Sequence, residues 1–135
     1  MKKRNSGHGS RRFMLEALAL AEKSEGKVSP NPLVGAVIVK GGRIVGKGLH
    51  EYYGGKHAEV NALEQAGQKA NGAELYVTLE PCNHYGKQPP CTKAIISAGI
   101  KKVFYAMPDP NRISRKGGAE LMKKGIEVHE GLCRN

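Results

Sequence analysis

Apolar residues recur along this chain at two different spacings, and the alternation between them predicts a layered α/β domain. From Arg12 to Lys23 the sequence is rich in Leu, Ala, Glu and Met, with apolar positions at helical intervals. Glu25-Gly26 ends that pattern, and Ser29-Pro30-Asn31-Pro32 reads as a loop, because proline disfavours helix in the residue before it. Leu33 to Val39 is a near-continuous apolar run, as expected of a strand covered on both faces. Lys40-Gly41-Gly42-Arg43 reads as a hairpin turn, which makes Ile44 to Leu49 the returning strand. A glycine-containing loop follows from Tyr52 to Lys56. His57 to Ala66 then reads as a helix with Ala58, Ala62, Leu63 and Ala66 on its apolar face. Glu74 to Leu79 is a strand that runs directly into Glu80-Pro81-Cys82, and Asn83 to Pro90 is a polar loop. Cys91 to Ala98 reads as a helix closed by Gly99, Lys102 to Met107 as a strand, and Pro108 to Arg112 as a loop. Gly118 to Lys124 is a helix stopped by Gly125, and Ile126 to His129 is the last strand.

The order is α-β-β-α-β-α-β-α-β. Alternation in the second half implies parallel strands with crossover helices, and the first strand pair implies an antiparallel hairpin. The expected fold is therefore a three-layer α/β/α domain around a mixed five-stranded sheet. In this arrangement His57 and Cys91 begin helices and Cys82 ends a strand. Helix N-termini favour anions and lower thiol pKa values, and sites in such sheets gather at the carboxyl ends of strands.

Composition narrows the class. The 135 residues are 25% charged and 39% hydrophobic, enough for one globular domain with a single core. No apolar run approaches the roughly 20 residues of a membrane span. The basic N-terminus is not followed by a signal-peptide core, since Glu16 interrupts Phe13 to Ala21, so a cytoplasmic protein with no membrane partner is expected. Three cysteines are an odd number, which argues against a disulfide framework and for thiolate ligands; Cys133 reads as a bystander. The formal net charge is +10. Lys2, Lys3, Arg4, Arg11 and Arg12 crowd a start that has no acid, so residues 1–10 are expected to be a basic flexible tail and 11–135 the folded domain. A positive surplus on the body suits a phosphate-bearing small molecule.

The chemistry lies in His57-Ala58-Glu59, Pro81-Cys82 and Pro90-Cys91. Each piece has an innocent explanation. His-x-Glu is common, the cysteines could be core residues, and with His84 they could form a closed zinc knuckle. Their combination, in this order and at helix and strand ends, favours a catalytic ion. One imidazole and two thiolates leave one position of a tetrahedral Zn²⁺ for water, whose pKa then falls to about 7. Glu59 is placed to move that water's protons. His-x-Glu followed by Pro-Cys-x-x-Cys is the signature of zinc deaminases acting on bases, although here eight residues, not two, separate the cysteines. The expected reaction is hydrolytic deamination of an amidine-like carbon.

Longer stretches carry a closer likeness. Asn31-Pro32-Leu33-Val34-Gly35-Ala36-Val37-Ile38-Val39, His57-Ala58-Glu59, the run from Thr78 through Cys82 and Gly86 to Pro89-Pro90-Cys91, and Asp109-Pro110-Asn111 resemble the deaminase domain of bacterial riboflavin biosynthesis, diaminohydroxyphosphoribosylaminopyrimidine deaminase. The resemblance covers nearly everything after the basic tail, and the long cysteine loop is specific to that branch. It implies a cytidine deaminase-like fold, with 2,5-diamino-6-(5-phosphoribosylamino)pyrimidin-4(3H)-one as substrate and the aminouracil and ammonia as products. It implies His57, Cys82 and Cys91 as zinc ligands and Glu59 as the catalytic acid. It also implies that Asn31, His50, His84, Lys87, Asp109 and Asn111 line the substrate pocket. A diaminopyrimidinone needs paired donors and acceptors and its phosphate needs a cation, which these residue types supply. A homo-oligomer is implied as well, since relatives form dimers or tetramers.

The likeness has gaps. Gln88 stands where the family usually has threonine, and Arg112 to Gly118 replaces a second proline and a Gly-x-Gly stretch; Arg112, Arg115 and Lys116 could form a substitute anion site. Bifunctional relatives continue into an NADPH-dependent reductase, so either a separate reductase or an excised domain is implied. The rival readings are another nucleobase or nucleoside deaminase, a transfer-RNA adenosine deaminase, and a non-enzymatic zinc-stabilised interaction module. Against a nucleic-acid partner stand only seven aromatics and no evident stacking platform. No glycine-rich phosphate motif follows a strand, so zinc is the only cofactor expected.

Overall fold

The computed structural model describes residues 3–23 (side chains from residue 11), 34–49, 57–81, 91–107 and 117–131. Its elements are α1 (Lys3–Lys23), β1 (Gly35–Lys40), β2 (Arg43–Leu49), α2 (Ala58–Ala66), a 3-10 turn (Gly67–Ala70), β3 (Glu74–Leu79), α3 (Cys91–Ala98), β4 (Lys102–Met107), α4 (Gly117–Lys123) and β5 (Glu127–Glu130). The five strands form one sheet in the order β2-β1-β3-β4-β5. Strand β1 is antiparallel to both β2 and β3, whereas β3, β4 and β5 run parallel. The expected mixed sheet and α/β architecture are therefore present.

The hairpin closes as its composition requires. Gly41 and Gly42 have φ of 60° and 78°, the positive pair of a two-residue turn whose twist suits antiparallel strands. Strand β1 is buried along all but its last residue, which accounts for its unbroken apolar run. Its side chains divide by parity. Val37 and Val39 join Tyr76, Phe104 and Ala106 under Phe13, Met14 and Ala17 of α1. Ala36 and Ile38 join Leu75, Val77, Val103 and Tyr105 under Leu63 of α2, Ile95 of α3 and Leu121 of α4. One helix thus covers one face of the sheet and three cover the other. Burial of each large aliphatic side chain contributes about 1.5–3 kcal/mol.

Helix α2 lies unusually close to the sheet because β2 presents glycines to it. A Cβ on Gly46 would collide with the carbonyl oxygen of Ala62, and one on Gly48 with that of Ala58. Backbone rests on backbone there, and Asn61 Nδ2 adds a hydrogen bond to the carbonyl of Leu49 at 2.9 Å.

Some element ends differ from expectation. Helix α1 starts at Lys3, not Arg12, over a stretch with no apolar periodicity to announce it. Strand β5 starts at Glu127, not Ile126, because the Ile126 amide closes the turn after α4 onto the Leu121 carbonyl at 3.1 Å. Ladder pairing resumes one residue later, with Glu127 donating to Lys101 at 3.1 Å. Among the described residues no helix is long and apolar enough to cross a membrane.

Candidate active site

Topology brings four chain ends to one end of the sheet. Gly35 opens β1 opposite Leu49, which closes β2; β3 closes at Leu79 opposite Met107, which closes β4. Because β1 opposes β3, with Ala36 beside Val77, all four ends share the carboxyl side of the parallel strands. That is where open α/β sheets hold their ligands.

The N-termini of α2 and α3 meet at this end. His57 is the N-cap of α2, with φ −74° and ψ 164° and no side-chain capping hydrogen bond. Its extended backbone matters: two residues apart within a helix would not face one point, but a non-helical N-cap lets His57 and Glu59 converge. Cys91 is the first residue of α3, and its thiol is fully buried and not in a disulfide. His57 Nδ1 lies 3.2 Å from Cys91 Sγ. Zinc bonds of about 2.3 Å to sulfur and about 2.0–2.1 Å to nitrogen, at a tetrahedral angle, separate those atoms by about 3.6 Å. The pair is thus within a few tenths of an ångström of the spacing of two ligands. A carboxylate oxygen of Glu59, a residue only 4% exposed, completes a group whose ligand atoms all lie within 4.8 Å of one another. This borderline nitrogen and soft sulfur suit Zn²⁺, and the site is held by helix N-termini that favour a thiolate.

Of the sequence-predicted site residues, His57, Glu59 and Cys91 are brought together. Cys82, Asn31, His50, His84, Lys87, Asp109 and Asn111 lie outside the described residues, as does Cys133. The segments carrying the seven site residues among them leave from, or arrive at, the four strand ends and the helix starts just described.

Three polar contacts around the site were not foreseen. Glu80, 5% exposed, accepts a hydrogen bond from the Gly118 amide at 2.9 Å through Oε2. Thr92, fully buried, donates from Oγ1 to Glu120 Oε1 at 3.2 Å. The Gly35 amide donates to Thr78 Oγ1 at 3.2 Å. A carboxylate just after a strand and a threonine just inside a helix were the available signals, but neither names its partner.

Comparison with known proteins agrees with this geometry. The family described as the cytidine and deoxycytidylate deaminase zinc-binding region matches residues 8–107. The riboflavin biosynthesis protein RibD of Aquifex aeolicus is 59% identical over 122 residues, covering 90% of this chain and 34% of that protein. A diaminohydroxyphosphoribosylamino-pyrimidine deaminase of Buchnera aphidicola is 54% identical over 121 residues, covering 89% of this chain and 82% of the relative. The crystal structure of a Thermotoga maritima diaminohydroxyphosphoribosylaminopyrimidine deaminase/5-amino-6-(5-phosphoribosylamino)uracil reductase superposes with a TM-score of 0.90 at 51% identity, covering 94% of this chain and 37% of that one. The chain thus spans about a third of the Aquifex and Thermotoga proteins and most of the Buchnera one.

Proposed function

The chain belongs to the cytidine and deoxycytidylate deaminase family, and from that premise we propose that it is a zinc-dependent aminohydrolase of riboflavin biosynthesis. Its substrate is 2,5-diamino-6-(5-phosphoribosylamino)pyrimidin-4(3H)-one, converted to 5-amino-6-(5-phosphoribosylamino)uracil and ammonia. The observation that carries this reading is the convergence of ligand atoms of His57, Glu59 and Cys91 within 4.8 Å at the sheet's carboxyl end, with His57 Nδ1 3.2 Å from Cys91 Sγ. The deaminase activity for which the Buchnera and Thermotoga relatives are named favours this substrate over cytidine.

His57, Cys82 and Cys91 would hold the ion, and Glu59 works beside it. When bound, zinc makes a water molecule acidic enough to act as a nucleophile near neutral pH. Glu59 would take one proton from the attacking water, whose oxygen adds to the amine-bearing ring carbon. The carboxylic acid then gives this proton to the adjacent ring nitrogen. The second water proton passes through the same carboxylate to the exocyclic amine, the carbon–nitrogen bond breaks, and ammonia leaves. Burial of Glu59 keeps bulk water from competing for these protons. Asn31, His50, His84, Lys87, Asp109 and Asn111 bind the pyrimidine and the ribose phosphate. The deaminase domain occupies residues 11–135. It acts in the cytoplasm as a homo-oligomer, and its product passes to a reductase.

The test is ammonia release by zinc-loaded protein from the phosphoribosylamino pyrimidine, cytidine, guanine and an adenosine-containing transfer RNA. Turnover confined to the first substrate is expected. Preference for another base, or salt-steep binding of the RNA with adenosine deamination, would replace the reading with that of a different deaminase.

A further inference from the structure

The first turn of α4 touches both cysteine-bearing segments. The Gly118 amide donates to the buried Glu80 carboxylate, two residues before Cys82. Gly117 lies directly against the carbonyl of Pro81, the residue before Cys82, so closely that any Cβ there would collide with it. Glu120, one residue past this pair's neighbour Ala119, accepts the hydrogen bond from Thr92, the residue after Cys91. Glu80 is also fixed from the sheet side, where its amide donates to the Met107 carbonyl at 2.9 Å. One short element therefore ties down the chain just before Cys82 and just after Cys91.

We propose that the first turn of α4 is a brace for the metal centre, with Glu80, Thr92 and Glu120 as positioning residues that set the approach of Cys82 to Cys91. The proposal rests on the reading of these cysteines as ligands. Eight residues separate the two cysteines in sequence, so the chain between them does not by itself fix their distance. The brace supplies the constraint that a Cys-x-x-Cys turn would supply by local geometry. It explains why Gly117-Gly118 stands where it does: a side chain at the first position would push Pro81 away, and the second offers its amide to Glu80.

The test is metal affinity in the full chain, read by competition with a chromogenic zinc chelator, and the visible spectrum of the Co²⁺-loaded protein. Loss of groups that orient ligands typically weakens metal binding by about 10–100-fold. Glu80→Ala, Thr92→Val and Glu120→Ala are each expected to raise the zinc dissociation constant by about that factor, and to shift or weaken the thiolate-to-cobalt and ligand-field bands. Glu80→Gln and Thr92→Ser, which keep an acceptor and a hydroxyl, should restore both readouts to the parent's. Glu120 is only half-buried, so Glu120→Ala decides the matter if the buried variants fail to fold. Unchanged zinc affinity and cobalt spectrum in the folded Ala and Val variants would overturn the brace and leave the metal reading standing. Thermal melts of the metal-free variants that fall while affinity and spectrum hold would overturn it too, by assigning the contacts to stability alone. A parent chain that takes up neither ion would overturn the metal reading and the brace together.

Discussion

A carboxylate that ferries protons beside a metal must be close to the ion's water without depending on the ion for its own position. Glu59, buried in the first turn of α2, is positioned by the helix itself, which is what the role proposed for it requires. Glu59→Gln keeps the size and an acceptor oxygen but cannot exchange a proton at the pH of the reaction. It should retain metal, by elemental analysis, and lose about 10²–10⁴-fold in kcat by ammonia release. Residual activity within tenfold of the parent would remove Glu59 from the proposed role. Residues of this kind were legible in the sequence because their chemistry is local: His57, Glu59 and Cys91 announce themselves by motif and by position at helix starts. Glu80 and Thr92 were not, because their partners lie 38 and 28 residues away. No local pattern specifies which distant amide or carboxylate will satisfy a buried polar group, although burial itself requires that one does.

At the scale of elements, the depth of α2 against the sheet fixes where His57 and Glu59 stand, and the glycines of β2 set that depth. Gly48→Ala would drive a methyl into the Ala58 carbonyl, one residue from His57 and at the start of the helix. Overpacking of this sort costs about 1–3 kcal/mol. The expected result is a lower midpoint in urea unfolding together with weaker zinc binding, since the helix start must move. Gly42→Asn is the control. It lies at φ 78° with nothing near its would-be Cβ, where Asn is accepted, and it should change stability by less than about 0.5 kcal/mol. Equal effects from the two substitutions would show that α2 can shift without consequence. Element type and order were readable because hydrophobic period and glycine stops are local signals, and β3, α3 and β4 have the expected bounds. The early start of α1 was not readable. Extending a helix already nucleated at Arg12 costs little and needs no apolar stripe. The 3-10 turn at Gly67–Ala70 was also missed, being too short to show a period. Strand order carries the same lesson: the antiparallel pairing of β1 with β3 is a long-range choice, settled by the shared core and not by either strand's own residues.

For the molecule as a whole, the question is whether the ion makes the fold or the fold makes a site for the ion. Small zinc modules unfold without metal because they have little else to bury. Here apolar clusters cover both faces of the sheet: Phe13, Met14 and Phe104 lie on one side, and Leu75, Ile95, Val103 and Leu121 on the other. None of these needs the ion to be buried, and the contacts among them join all five strands to helices or to one another. Chelation should therefore leave far-UV circular dichroism and cooperative melting intact while lowering Tm. Binding to the folded state alone, at free zinc a thousand times Kd, stabilises by about 4.1 kcal/mol. For a domain of this size that corresponds to a Tm rise on the order of 10 °C. Zinc added back should restore the melting temperature in the parent and in Glu59→Gln, and should do so poorly in His57→Ala or Cys91→Ala. A chain that loses its cooperative transition on chelation would instead place the ion among the determinants of the fold, and the sheet with its two cores would not be the scaffold that holds the reaction's residues in place.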